Sequence, residues 1–164
     1  MFKDKQMKPM RRFCGDDWPD DGFGATMIGT ARLLNVATLL HAVVKEGVAG
    51  AFAELGVWRG GACIFSRKVF DLFGQDSRPV HVFDAFESLP GYAGADGLDG
   101  AHANYLESSQ AFVEDIFRRE DALSDRVTFH QGLFKDTCPE FRRKSPAVRK
   151  SNSTPARRHG GAML

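Results

Sequence analysis

Two acids and three glycines are the parts of this sequence best suited to chemistry. Glu54 and Gly56 stand in "AELGVWRGGACI", residues 53–64, where Trp58, Arg59, Gly60 and Gly61 follow them. Asp84 stands in "VHVFDAF", residues 80–86, 28 positions after Gly56. A carboxylate at a strand end can accept hydrogen bonds from sugar hydroxyls. Glycines between a strand and a helix let backbone approach a ligand closely, and the first N–H groups of the helix attract carboxylate or phosphate. Nucleoside-binding α/β domains place their ribose-binding acid about 20 residues after the glycine turn, so the spacing here is looser. Each part also has a structural reading. The glycines can be a tight connection, Asp84 can cap a following turn, and Arg59 can be a solvated charge.

These residues need elements to position them. Leu33, Leu34, Ala37, Leu40, Val43 and Val44 recur at three- and four-residue spacing, which predicts a helix from about Thr30 to Gly47. "AFAEL" reads as a short strand, and "ACIFSRKVFDLF" as a helix with Ile64, Phe65, Val69, Leu72 and Phe73 available for burial and Gly74 as its stop. "RPVHVFDAF" is a second strand ending at Asp84, followed by a Gly-rich loop over about 90–100. "ANYLESSQAFVEDIFRRE" is a third helix, with Tyr105, Phe112, Ile116 and Phe117 near one face, and "DRVTFHQG" a third strand. Strands alternating with helices imply βαβ units and a parallel sheet, with ligands at the carboxyl ends of the strands. Those ends are Glu54–Gly56, Asp84 and Gln131–Gly132.

The chain has 164 residues, 43% hydrophobic and 26% charged, ordinary for one soluble domain with a core. No window approaches 18 apolar residues, no signal-peptide run stands at the N-terminus, and the three cysteines, Cys14, Cys63 and Cys138, form no CxxC pair. A cytoplasmic setting is the expectation. The net charge of +1 hides an asymmetry: residues 140–164 carry seven basic residues and one acid, +6, against −5 for the rest.

Other candidates have plainer readings. Asp16, Asp17, Asp20 and Asp21 fit a solvated arm better than a metal site, lacking a third ligand type at suitable spacing. His41 and His81 read as structural, His102 and His130 as bases only in principle. Cys63 reads as a small core residue, and neither a GxSxG elbow nor a phosphate-binding P-loop is present.

"ATMIGTARLLN", "AELGVWRGGACIF", "VHVFDAFESLP" and "GLFKDT" occur in this order, and over about residues 26–139 the chain resembles the macrocin O-methyltransferase family. The resemblance implies an incomplete Rossmann-like class I methyltransferase fold, the N-terminal half of a parallel α/β sheet flanked by helices. It implies S-adenosyl-methionine as cofactor and methyl transfer to a sugar or other hydroxyl of a secondary metabolite. Glu54 and Gly56 would border the methionine end of the cofactor, with Trp58, Arg59, Gly60 and Gly61 forming the loop beneath it. Asp84 would take the ribose, Gln131 with Gly132 the adenine, and Thr26 and Met27 would belong to an N-terminal helix covering the cofactor. Ala85 and Ser88 depart from the family's usual Ser and Gly beside that ribose position.

The same resemblance implies a further strand-rich half with acidic motifs that bind a divalent metal such as Mg, which lowers the pKa of the acceptor hydroxyl. Neither motif has a counterpart here, so no metal ligand or catalytic residue is assigned. The division expected is an irregular arm over 1–24, a partial cofactor-binding domain over 25–139 and a basic disordered tail over 140–164. That tail is either a binder of nucleic acid or an acidic partner, or the product of out-of-frame translation. Its abrupt start and its lack of aromatics after Phe141 favour the second reading, and count against nucleic acid as a partner. A truncated, cofactor-binding-only form is therefore expected, its partner a small-molecule acceptor if it is active. Lacking a fourth strand, "AFAEL" becomes an edge strand open to self-association. The alternative is a non-catalytic nucleoside-binding or protein-interaction module with a basic tail.

Overall fold

The computed structural model describes residue 13 and residues 24–87 and 107–144. Most of the N-terminal arm, the Gly-rich loop, Tyr105, His102 and everything beyond Lys144 lie outside these residues. Helix α1 spans Gly29–Lys45. Leu33 and Leu40, seven positions apart and so on one helical face, are its buried residues, whereas Leu34 is 60% exposed. The helix ends where expected, with Gly47 at φ +66° donating to the Val44 carbonyl.

Strand β1, Phe52–Leu55, leads through the glycine turn into α2, Gly61–Leu72. Cys63, Ile64, Val69 and Phe70 of α2 are buried, but Leu72, expected inside, is 84% exposed. Arg67 is buried because its guanidinium closes the far end of the crossover. It donates to the carbonyls of Arg78 (2.7 Å) and Gln75 (3.3 Å) and pairs with Asp71, so the buried charge is fully engaged. The chain then enters β2, Val80–Asp84.

Helix α3 spans Gln110–Arg119. Ser109 caps it, its Oγ accepting from the Phe112 amide, and Val113 and Phe117 are its buried residues. Phe112, expected on the inner face, is 38% exposed. Strand β3, Val127–Gln131, follows. The strands form a parallel sheet in the order β1–β2–β3, so among the described residues β1 lies at an edge.

Register divides the sheet into two faces. Phe52 and Glu54, Val80, Val82 and Asp84, and Val127, Phe129 and Gln131 share one face. The core lies there, built with Leu40 of α1, Ile64, Val69 and Phe70 of α2, and Val113 and Phe117 of α3. The Phe117 ring meets Phe129 edge-on at 5.3 Å. The opposite face carries Ala53, Leu55, His81, Phe83, Thr128 and His130.

A fourth helix, α4, Phe134–Lys144, packs on that opposite face through Phe141. It runs five residues into the segment expected to be a disordered tail. Pro139 inside it removes one helical donor, which hides the helix from a sequence reading. Charge supports it instead: Asp136 lies in the first turn, Arg142, Arg143 and Lys144 in the last, and Lys144 pairs with Glu140 at 2.7 Å.

Candidate functional site

The three polar strand ends come together on one face. Asp84 and Gln131 are register partners, and Glu54 lies on the neighbouring strand with the same orientation. The Asp84 carboxylate is the hub. Its Oδ2 accepts from the amides of Val57 (2.9 Å) and Trp58 (3.2 Å), and its Oδ1 accepts from the Phe86 amide (3.1 Å). Trp58 and Phe86 both have left-handed backbones, at φ 51° and 55°, a conformation costly for bulky residues. The carboxylate therefore holds two strained turns, one after β1 and one after β2. Its lone pairs offer about four acceptor positions, so one remains for a ligand hydroxyl.

Glu54 is engaged at the start of α2. Its Oε2 accepts from the Cys63 thiol at 2.9 Å, and the Cys63 amide bonds it as well. Burial raises its pKa, against the lowering effect of the two Cys63 bonds, and the Asp84 charge adds to the rise. Burial pushes the Cys63 thiol up as well, helped by the Glu54 charge. Cys63 is thus the core residue its sequence context implied, and also a partner of the acid nine positions before it.

The glycines are placed by protein packing. Gly60 caps α2 at φ +77°, and a methyl group there would meet Phe117 at 2.6 Å and Val113 at 3.0 Å. A methyl group on Gly61 would strike the Ala25 carbonyl oxygen. The N–H groups expected to await a ligand have partners: Gly60 donates to Val57 O (2.8 Å) and Gly61 to Ala25 O (2.9 Å). Gly56, at φ +80°, donates to Phe83 O and extends the ladder by one step.

Arg59 is neither a solvated charge nor a bare ligand group. Its guanidinium lies 4.4 Å from the Trp58 ring centroid and 5.7 Å from that of Phe112, and donates to the Gly24 carbonyl at 3.1 Å. It joins the strap before α1, the glycine turn and α3. Thr26 and Met27 lie in that strap and not in a helix, since α1 begins at Gly29. Thr26 is buried, its Oγ1 accepting from the Ile28 amide, whereas Met27 is 40% exposed. The structure thus joins Glu54, Gly56, Trp58, Arg59, Gly60, Gly61, Asp84, Gln131 and the strap at Thr26. Sequence reasoning missed the contributions of Val57, Phe86, Cys63, Ala25 and Phe117. For Cys63 a signal existed, because a short strand–turn–helix unit returns the helix start to the strand end. A separate groove of roughly 530 Å³ on α4, lined by Phe134, Cys138, Pro139, Arg142 and Arg143, contains none of the strand-end residues.

The chain matches the macrocin O-methyltransferase (TylF) family over residues 1–151. The chain belongs to the macrocin O-methyltransferase family. The family match, like α4, runs past Pro139. Among the family's relatives, the chain is 38% identical over 136 residues to mycinamicin III 3''-O-methyltransferase of Micromonospora griseorubida, covering 78% of this chain and 53% of that protein. It is 39% identical over 131 residues to demethyldecarbamoylnovobiocin O-methyltransferase of Streptomyces niveus, covering 76% of this chain and 49% of that one. The solved structure of the O-methyltransferase NovP superposes with a TM-score of 0.63 at 38% identity, over 79% of this chain and 55% of that chain. The chain spans about half the length of the curated relatives it matches. The parallel α/β arrangement is therefore part of a methyltransferase fold.

Proposed function

We propose that this chain carries the S-adenosyl-methionine-binding part of an O-methyltransferase that acts on a sugar or other hydroxyl of a secondary metabolite, in the cytoplasm. One observation carries the reading. Glu54, Asp84 and Gln131 share one sheet face at the strand ends, beside a turn that Asp84 itself organises. The residues fit the cofactor: Asp84 retains an acceptor position for a ribose hydroxyl, Gln131 stands beside it for the adenine, and Glu54 marks the methionine end. When bound, the cofactor supplies an electrophilic methyl group on sulfonium. Membership of an O-methyltransferase family supports the reaction class.

Among the described residues no group of three or more His, Cys, Asp and Glu side chains could hold a metal ion. The reading stops at the methyl donor. No helix among the described residues is long and apolar enough to cross a membrane.

Isothermal titration of the full chain with S-adenosyl-methionine is expected to show saturable one-site binding with no dependence on magnesium. Absence of binding, together with affinity for an acidic polymer, would overturn the reading in favour of an interaction module. Among the described residues β1 lies at the sheet edge, and its Leu55, 52% exposed, supports self-association. Sedimentation velocity is expected to show a concentration-dependent rise above the monomer, reduced by Leu55→Lys; a monomer at all concentrations contradicts it.

A further inference from the structure

On the face opposite Glu54 and Asp84, two histidines from adjacent strands meet beneath α4. His81 Nδ1 and His130 Nε2 are 3.1 Å apart, within hydrogen-bonding distance. Aromatic rings surround them. His130 stacks on Phe83 at 4.1 Å with the planes 8° apart, and Phe141 of α4 lies 4.6 Å from His81 and 5.5 Å from His130. Phe141 is the ring by which α4 seats on the sheet, and the histidines form most of its seat.

We propose that the His81–His130 pair is an acid-sensitive latch that holds α4 on the sheet and releases it when both imidazoles are protonated. In the neutral pair one facing nitrogen donates and the other accepts. A first added proton can go to a nitrogen that faces away, leaving the bond intact. A second must go to the accepting nitrogen, so that both facing nitrogens carry hydrogen and both rings carry charge. The titration belongs to the pair and runs in two steps.

The surroundings set the direction. Burial lowers both imidazoles from their ordinary value of 6.5, and a charge on His130 further opposes one on His81. From α4, Glu140 favours the proton on His130 and Lys144 opposes it, while Lys144 and Arg143 act on Glu140. On the same sheet face Ala53, Leu55 and Thr128 do not titrate. With lowered pKa values in the docked state, the released state binds more protons below about 6.5. Docking is therefore fully present above that pH and lost as pH falls through the lowered values.

Release would reach the other side of the sheet's end. Phe134 of α4 lies 3.9 Å from where a methyl group on Gly56 would stand, and Thr137 lies 3.3 Å from the same point on Gly132. Helix α4 thus roofs the turns after β1 and β3. The latch is a property of the fold and does not depend on what those turns bind.

Hydrogen exchange of the full chain at pH 7.5 and 5.5, corrected for the intrinsic rate, tests it. Peptides within 134–144 are expected to lose protection by about tenfold or more at the lower pH, while α2 peptides within 61–72 keep theirs. Unchanged protection at 134–144, or an equal loss in both segments, overturns the proposal. His130→Phe keeps the stack on Phe83 and is expected to abolish the acid response; a persisting response overturns it. Should that variant not fold, an NMR titration of the parent's imidazoles decides. Both protonation steps are expected below 6.5, and a step at or above that value overturns the latch.

Discussion

Asp84→Asn is expected to destabilise the chain by about 2–4 kcal/mol in the complete absence of any ligand. The carboxylate accepts three amides: those of Val57, Trp58 and Phe86. Asparagine offers one accepting oxygen and one NH2 group. Whichever way its amide is turned, an NH2 faces at least one backbone N–H, so a charge-assisted bond worth about 1.5–3 kcal/mol is lost and a donor is left buried. The conformations it restrains add to the loss. Trp58 and Phe86 both sit in the left-handed region, where each non-glycine residue carries strain of order 1–3 kcal/mol. Urea unfolding of the ligand-free variant measures the effect, and titration with S-adenosyl-methionine is expected to show affinity reduced by more than tenfold. If Asp84 served only a ribose, affinity would fall while ligand-free stability stayed at the parental value. That result would remove the organising role.

Gly60→Ala is expected to cost a comparable amount, about 2–5 kcal/mol, for an unrelated reason. Its φ of +77° disfavours any Cβ by about 1–2 kcal/mol. The new methyl group would also lie 2.6 Å from Phe117, a ring with no exposure that anchors α3 to the sheet. Overpacking of that kind costs about 1–3 kcal/mol. Gly61→Ala provides the contrast. Its methyl group would strike the Ala25 carbonyl, which belongs to the strap before α1. The neighbouring variant is therefore expected to keep most of its global stability and to become rapidly cleavable by protease around residues 24–28. Equal urea midpoints for the two variants would show that the strap and the core are not separable in this way.

Much of the architecture was legible because local patterns carry it. The spacing of Leu33 and Leu40 gives α1, and the apolar runs in "AFAEL" and "RPVHVFDAF" give two strands whose ends hold the acids. Alternation of strand and helix gives the parallel sheet. Helix α4 was not legible, because Pro139 interrupts its pattern and its aromatic seat, Phe141, depends on rings from two strands. Leu72 and Phe112 fit helical faces on paper yet are exposed, because Leu72 stands at the very end of α2 and α3 buries the narrower stripe of Val113 and Phe117.

By itself the sequence determined that two carboxylates and a glycine turn stand at the ends of parallel strands, since strand, turn and helix signals are set by near neighbours. Only the tertiary structure decided how those groups are engaged. Asp84 meets Val57 and Trp58 across 27 and 26 positions, and Gly61 meets Ala25 across the whole of α1. Such pairings depend on how neighbouring strands align, and no local pattern encodes that. Gly60 and Gly61, which read as room for a ligand, also make room for Phe117 and the strap, and the acid that read as a ribose acceptor also holds the turns beside it.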